Sequence, residues 1–230
     1  IRWGCTSNVE TNNVLNTAKA IHSITNKIEF RRLLENHTVK YAPKTWFSIN
    51  DWLKEATSYP TIIVRPEQHA QGRHLLMFTL EQYNNGSQEL NNFIAKHPSY
   101  YISEYINKVA EYRVFIVQGR AVWVAQKTPS NPEAIAWNVA QGGRFDNVRW
   151  NDWPLKTVKT AIAAFNLTEL DFGGVDLMVD KDNNVYVLEI NSAPSQTSPY
   201  RQECTAKAFD YVIEYGKKRI PLIEEKGGYL

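Results

Sequence analysis

The chain has 230 residues, enough to bury a sizeable core in one large domain or two small ones. A hydrophobic fraction of 43%, a charged fraction of 22% and a net charge of +2 are those of an ordinary globular protein. They argue against disorder and against a general attraction to nucleic acid or an anionic membrane.

Cys5 and Cys204 are the two cysteines, with neither a disulfide framework nor metal-type spacing, so a reducing, cytoplasmic setting is expected. No apolar run approaches membrane-spanning length and no signal peptide is visible. The chain opens on Ile1 rather than Met, which leaves room for residues upstream.

In chain order, IRWGCTSN reads as a short strand entering a polar loop. Asn12 to Ile24 has helical character, and Lys27 to Leu34 predicts an amphipathic helix with Ile28, Phe30, Leu33 and Leu34 apolar. After Pro43, TWFSI is expected as a strand and Asp51 as the N-cap of a helix over 52–56. TIIVRP is a short strand ending at Pro66, followed by the polar loop EQHAQGR. HLLMFTLEQY fits strand and helix equally, LNNFIAKH predicts a helix, and YYISEYI a strand. EYRVFIVQGRAVWVAQK reads as a hairpin turning at Gln118-Gly119, apolar on both faces and therefore buried on both sides. TPSNPEAIAWNVAQGGRF is a long irregular loop of the kind that often carries function. WPLKTVKTAIAAFNL predicts a helix with Pro154 in its first turn. A last helix is expected over roughly Glu203 to Arg219, with Lys217-Lys218-Arg219 as its solvated end. This order describes an α+β domain with largely antiparallel sheets.

The most informative stretch is DFGGVDLMVDKDNNVYVLEINSAPS, residues 171–195. GVDLMV and VYVLEI flank the turn-rich Lys181-Asp182-Asn183-Asn184, which predicts a β-hairpin. A four-residue loop pairs Asp180 with Val185, Met178 with Val187 and Asp176 with Glu189. The two carboxylates then stand opposite each other with Cβ atoms roughly 5 Å apart. Asn191 lies on the same face, and the other face, Val175, Leu177, Val179, Tyr186, Leu188 and Ile190, is almost wholly apolar. Facing carboxylates repel unless compensated. A hard cation such as Mg²⁺ held by carboxylate and amide oxygens is one compensator. A Lys or Arg from elsewhere in the chain is the other.

Taken together, these residues resemble the ATP-grasp superfamily over roughly residues 20–215. The likeness is closest to carboxylate–amine ligases of the ribosomal-S6-modifying (glutamate ligase) and glutathione-synthetase type. GVDLMV followed by VYVLEINSAPS looks like that family's metal-binding hairpin. The resemblance implies Asp176, Glu189 and Asn191 as ligands of two Mg²⁺ ions, or of Mn²⁺, with Glu189 bridging them. Asn26-Lys27 looks like the family's NK helix start, with Lys27 on the nucleotide phosphates. Arg65 stands where relatives usually carry a phosphate-binding Lys; it keeps the charge and changes the geometry. Residues 67–73, with Gln71 and Gly72, resemble the mobile phosphate-covering loop, here with a single glycine. Ser103-Glu104-Tyr105-Ile106 resembles the hinge that holds adenine. Glu111-Tyr112-Arg113 resembles the D-x-R element that places Arg113 on the transferred phosphate, and Lys127 matches a basic position on the next strand. Asn138 with Gly142-Gly143 resembles the loop beside the acceptor. Relatives often have Pro-Gly where Pro194 is followed by Ser195. In the simple hairpin register Arg113 and Lys127 face opposite ways, so either a bulge intervenes or one of them lies outside the site.

The implied fold is an ATP-grasp fold of two α+β subdomains whose antiparallel sheets sandwich the nucleotide. Residues 26–105 would form the small subdomain with the phosphate loop, and 106–230 the large subdomain with the metal and substrate site. Residues 1–25 would be a remnant of an N-terminal domain or a linker. Relatives usually carry a Rossmann-like domain of about a hundred residues there, so that domain is expected to be reduced, absent or supplied by a partner. The implied activity is ATP- and Mg²⁺-dependent ligation of a small-molecule or peptide carboxylate to an amine, through an acyl phosphate. Arg113, Lys127 and Asn138 would act on the reacting atoms. A homo-oligomer is compatible with the likeness, and nucleic acid has no support from the charge. A small-molecule kinase of the same fold and a non-catalytic ATP-binding protein are the alternatives.

Overall fold

The computed structural model describes residues 1–7, 14–35, 37, 41–67, 74–131, 134–137 and 142–217. The first sheet comprises β1 (Thr45–Trp46), β2 (Thr61–Pro66), β3 (Leu76–Thr79) and β4 (Tyr100–Glu104), in the order β1-β4-β2-β3 and antiparallel throughout. Strand β2 alternates strictly, so Ile62 and Val64 point inward to Trp52, Phe78, Leu90 and Ile102. The helices α3 (Ile49–Leu53), α4 (Leu80–Asn84) and α5 (Glu89–Lys96) close this core.

The second sheet comprises β5 (Lys108–Val117), β6 (Arg120–Thr128), β7 (Arg144–Val148), β8 (Phe172–Asp180) and β9 (Val185–Asn191). Its order is β7-β6-β5-β8-β9, again antiparallel. One face, with Val114, Ile116, Val124, Val175, Leu177 and Val187, packs on α1 (Ala18–Thr25), α2 (Lys27–Glu35) and α6 (Leu155–Asn166). The opposite face is divided. Phe115, Trp123 and Phe172 are covered by Phe209 and Val212 of α7 (Pro199–Tyr215), whereas the rest is charged. The central strands are thus buried on both faces, as the doubly apolar hairpin predicts. Among the described residues no helix is long and apolar enough to cross a membrane.

Several elements differ from expectation. Helix α1 starts at Ala18 behind Thr17, whose side chain accepts from the Ala20 N–H. The first strand shortens to Thr45–Trp46 because Ser48, not Asp51, caps α3: its Oγ accepts the Asp51 N–H at 3.1 Å and donates to Asp51 Oδ2 at 2.7 Å. HLLMFTLEQY is both strand and helix, switching at Thr79, where a capping box with Gln82 starts α4. Strand β7 begins inside the segment read as loop, and its open burial pattern gives no alternating signal. Pro154 caps α6 rather than entering it. Helix α7 starts four residues before Glu203, with proline in its first turn, and ends at Tyr215.

Two bulges set the registers that matter. In β5–β6, Val117 pairs Arg120 across the two-residue turn, where Gln118 and Gly119 both have positive φ, as a type I′ turn requires. The buried Gln118 is held by Asp171, through Nε2 to Oδ1 at 2.8 Å. Beyond Phe115 the register shifts by one, leaving Val122 unpaired. Arg113 then pairs Ala125 and Glu111 pairs Lys127, which puts Arg113 and Lys127 on one face. In β8–β9, Asp176 pairs Glu189 as expected, but Leu177 pairs Val187 and Val179 pairs Val185, with Leu188 the extra residue. The expected pairs Asp180–Val185 and Met178–Val187 are therefore replaced. Val185 and Val187 enter the core, and Tyr186 and Leu188, read as core, turn away from it.

Candidate active site

Between the two sheets lies a cleft of about 660 Å³. Its floor is the charged part of the second sheet. Glu189 and Asn191 come from β9, Asp176 and Met178 from β8, Glu111 and Arg113 from β5, Lys127 from β6 and Phe145 from β7. Ile63, Arg65, Tyr101, Ser103 and the segment Glu104–Ile106 supply the opposite wall, and Lys27 and Arg31 enter from α2. Among the described residues seven cations, Lys27, Arg31, Arg65, Lys108, Arg113, Lys127 and Arg201, face four carboxylates, Glu104, Glu111, Asp176 and Glu189. A polyanion with apolar parts suits such a lining.

The carboxylates are individually compensated. Asp176, 3% exposed, is gripped by Arg113, with Nε to Oδ1 at 2.5 Å and Nη2 to Oδ2 at 2.7 Å. Lys127 lies 3.9 Å from Asp176 Oδ2. Burial works against the charged form of Arg113, but Asp176, with Glu189 and Glu111, outweighs it and raises its pKa. Glu111 accepts from Lys108 at 2.5 Å and from Lys127 at 2.6 Å. Lys108 also donates to Ile135 O at 2.6 Å and lies over the Trp137 ring. Burial lowers the Lys108 pKa against the pull of Glu111. Glu189 is 3.3 Å from Lys27 Nζ and accepts Asn191 Nδ2 at 2.9 Å. Burial opposes its ionisation, yet Lys27, the Asn191 amide, Arg113 and Arg65 together hold it well below the usual carboxylate range.

Of the residues singled out in the sequence, Asp176, Glu189, Asn191, Arg113, Lys127, Glu111, Lys27, Arg65, Glu104, Tyr105 and Ile106 all line this cleft. At the hinge, Glu104 accepts the Lys44 N–H at 2.7 Å and the Tyr105 N–H donates to Thr61 O at 3.1 Å. Gln71, Gly72 and Asn138 lie outside the described residues. Gly142 and Gly143 are not part of the cleft lining; Gly142 has φ +85 and abuts Ser130. Among the described residues no three His, Cys, Asp or Glu side chains come together as a metal cluster. The acidic face offers two carboxylates and one amide. That all-oxygen set fits Mg²⁺, which takes few protein ligands and completes its shell with water and phosphate.

Sequence reading missed Arg31, Lys108, Trp137, Phe145 and Arg201. Arg31 was legible in principle, four residues beyond Lys27 on the same helical face. It is buried, donating to Val187 O at 3.3 Å and Leu188 O at 3.0 Å. Arg201 and Phe145 had no local signal, because they reach the cleft through α7 and through the unrecognised β7.

The chain is 24% identical over 217 residues to the tetrahydromethanopterin:alpha-L-glutamate ligase of Methanococcus maripaludis, covering 88% of this chain and 71% of that protein. The ATP-grasp ligase PsnB, solved with a minimal precursor, Mg and ADP, superposes with a TM-score of 0.63 at 15% identity. The match covers 89% of this chain and 63% of that one, so this chain spans less than two thirds of its length. The D-alanine–D-alanine ligase of Bacillus anthracis gives a TM-score of 0.64 at 16% identity, over 88% of this chain and 70% of that one. These structural likenesses establish the fold, two antiparallel sheets enclosing a cleft. The model of the RimK-like ATP-grasp domain matches residues 25–211, and the chain belongs to that family.

Proposed function

We propose that the chain is an ATP-dependent carboxylate–amine ligase that forms an amide bond through an acyl phosphate. The observation that carries the proposal is the common face shared by Asp176, Glu189, Asn191, Arg113 and Lys127 beneath a cleft rich in cations. Adenine would lie against the Glu104–Ile106 hinge, Met178 and Leu188, and the triphosphate against Lys27 and Arg65. Asp176, Glu189 and Asn191 would hold Mg²⁺, two ions with Glu189 shared; when bound, the metal neutralises charge on the phosphate oxygens. An oxygen of the substrate carboxylate attacks the γ-phosphorus, and the bond to ADP breaks. Arg113 supports the transferring phosphoryl group by charge and by its planar donors. The amine nitrogen then attacks the acyl carbon, phosphate leaves, and the nitrogen gives up a proton. Lys127 stands close enough to Asp176 to stabilise the oxyanion of that step.

The relative named above as a glutamate ligase makes an α-amino acid, L-glutamate first, the acceptor to try. PsnB has also been solved with a precursor peptide, which makes a peptide a partner to try. The test measures ADP release with and without an amine, and binding of a non-hydrolysable ATP analogue with and without Mg²⁺. Wild type should bind the analogue in a Mg²⁺-dependent way and release ADP only with both substrates. Glu189→Ala should lose both properties while keeping its fold. Amine-independent ADP release would point to a kinase, and normal turnover in Glu189→Ala would sink the mechanism.

A further inference from the structure

We infer that Arg201 is the anchor for a non-reacting carboxylate of the substrate, the α-carboxylate of an amino-acid acceptor, at the end of the cleft away from the nucleotide. The assignment rests on the ligase reading above. Arg201 stands in the first turn of α7, is 4% exposed and lines the cleft. Its Nε is buried without a hydrogen-bond partner, and it forms no ion pair among the described residues. Every other cation on the floor of the second sheet has a carboxylate: Arg113 has Asp176, and Lys108 and Lys127 share Glu111.

Arg201 lies over two rings instead, 5.5 Å from the Trp123 centroid and 5.8 Å from that of Phe145. The rings hold the guanidinium in place without neutralising it. Burial and the neighbouring Arg113 both disfavour its charge. Asp146, the acid that favours it, is engaged by Thr128 Oγ1 at 2.6 Å and Arg144 Nε at 2.9 Å. A buried cation in that state is completed by an anion. The N-terminus of the 17-residue α7 adds to the same field, since Ser198 offers no side-chain cap to its first turn.

Position separates this anion from the triphosphate. Strand order runs β9, β8, β5, β6, β7, so the Lys27–Glu189 pair and Phe145 are four strand spacings apart, roughly 19 Å at the usual inter-strand distance. Asp176 lies between them, and Arg113 brings its guanidinium to 4.6 Å from the Phe145 centroid, so the reaction centre and Arg201 meet at that ring. A substrate reacting beside Arg113 therefore extends its far end toward Arg201, whose planar fork matches a carboxylate.

The experiment is calorimetric titration of the full chain, saturated with Mg²⁺ and a non-hydrolysable ATP analogue. Wild type, Arg201→Gln and Arg201→Lys are each titrated with L-glutamate and with its α-amide, L-isoglutamine. Wild type should prefer the carboxylate by about ten-fold or more, as expected for a lost charge-assisted pair. Arg201→Gln should bind both ligands equally weakly, and Arg201→Lys should show a reduced preference. Affinity for the ATP analogue should be the same in all three, which also reports a native fold. Should Arg201→Gln fail to fold, Arg201→Lys decides: an undiminished preference for the carboxylate overturns the proposal. So does an undiminished preference in a folded Arg201→Gln. So does a ten-fold loss of analogue affinity in a variant with native melting, which would make Arg201 a phosphate ligand. Absence of wild-type binding to L-glutamate, L-aspartate and glycine alike also overturns it. Amine-dependent ADP release is scored separately: its absence defeats the ligase reading, while the carboxylate–amide comparison still decides Arg201.

Discussion

Glu111 is 3% exposed and holds two ammonium groups, Lys108 at 2.5 Å and Lys127 at 2.6 Å. Glu111→Gln keeps the shape and removes the charge. Two unit charges about 4 Å apart attract by about 4 kcal/mol at an effective dielectric near 20, and part of this offsets desolvation. Removing one member of a buried ion pair costs about 3–5 kcal/mol, because its partners stay buried and uncompensated. Here there are two such partners, each with a side chain 9% exposed, so the expected loss at pH 7 is about 4 kcal/mol. The pH dependence gives a sharper check. Burial already lowers the Lys108 pKa, and Glu111 is what raises it, so the variant lowers it further. Between the folded and unfolded pKa values the unfolded chain binds more protons, so stability rises with pH across that window. The penalty is full below the folded value and disappears above the unfolded value of about 10.4. Urea unfolding followed by tryptophan fluorescence should therefore show a larger loss at pH 7 than at pH 10. A loss under about 1 kcal/mol, or one equal at the two pH values, would refute this account of the cluster.

Lys27→Met removes the strongest stabiliser of the Glu189 carboxylate. A depressed carboxyl pKa contributes stability above the unfolded value of about 4.3, which is lost as pH falls through the folded value. The variant should therefore unfold at a higher pH on acid titration and bind the ATP analogue about ten-fold more weakly; an unchanged acid midpoint would show that Lys27 does not govern Glu189. Gly174→Ala would bring a Cβ to 3.0 Å from Pro194 Cβ and 3.4 Å from Arg113 Cδ. The protein should fold, with amine-dependent ADP release reduced about ten-fold by displacement of Arg113 or of the loop after Pro194. Wild-type turnover in a folded Gly174→Ala protein would mean that the loop absorbs the change.

The acidic hairpin was legible because its information is local. Alternation in GVDLMV fixes its two faces, Asn and Asp close the turn, and the opposing acids locate the chemistry, whereas in VYVLEI the simple alternation holds only at Glu189 and Ile190. The same holds for the Gln118-Gly119 turn and for β2, whose strict pattern appears at its expected bounds. The site residues that the family resemblance tied to the hairpins, α2 and the hinge converge on one cleft, Lys127 through a bulge that the simple register did not contain.

The bulges were decided by distant parts of the chain. A bulge frees backbone groups, and at Leu188 these are taken up by residues about 150 positions away. Arg31 donates to Val187 O and Leu188 O, and the Val187 N–H donates to Tyr41 O at 2.6 Å. No pattern within β9 encodes those partners, yet they turn Leu188 toward the cleft and keep Glu189 opposite Asp176. The extra residue Val122 likewise brings Lys127 to the side of Arg113, which the simple register placed on opposite faces. Local periodicity therefore determined β2, the strands of the two hairpins, their turns and the acidic pair. Only tertiary packing determined the registers, because an irregular ladder persists only where other elements satisfy the groups it releases. The same packing brought Arg201 and Phe145 to the cleft, and a one-dimensional pattern carries no signal for such a meeting.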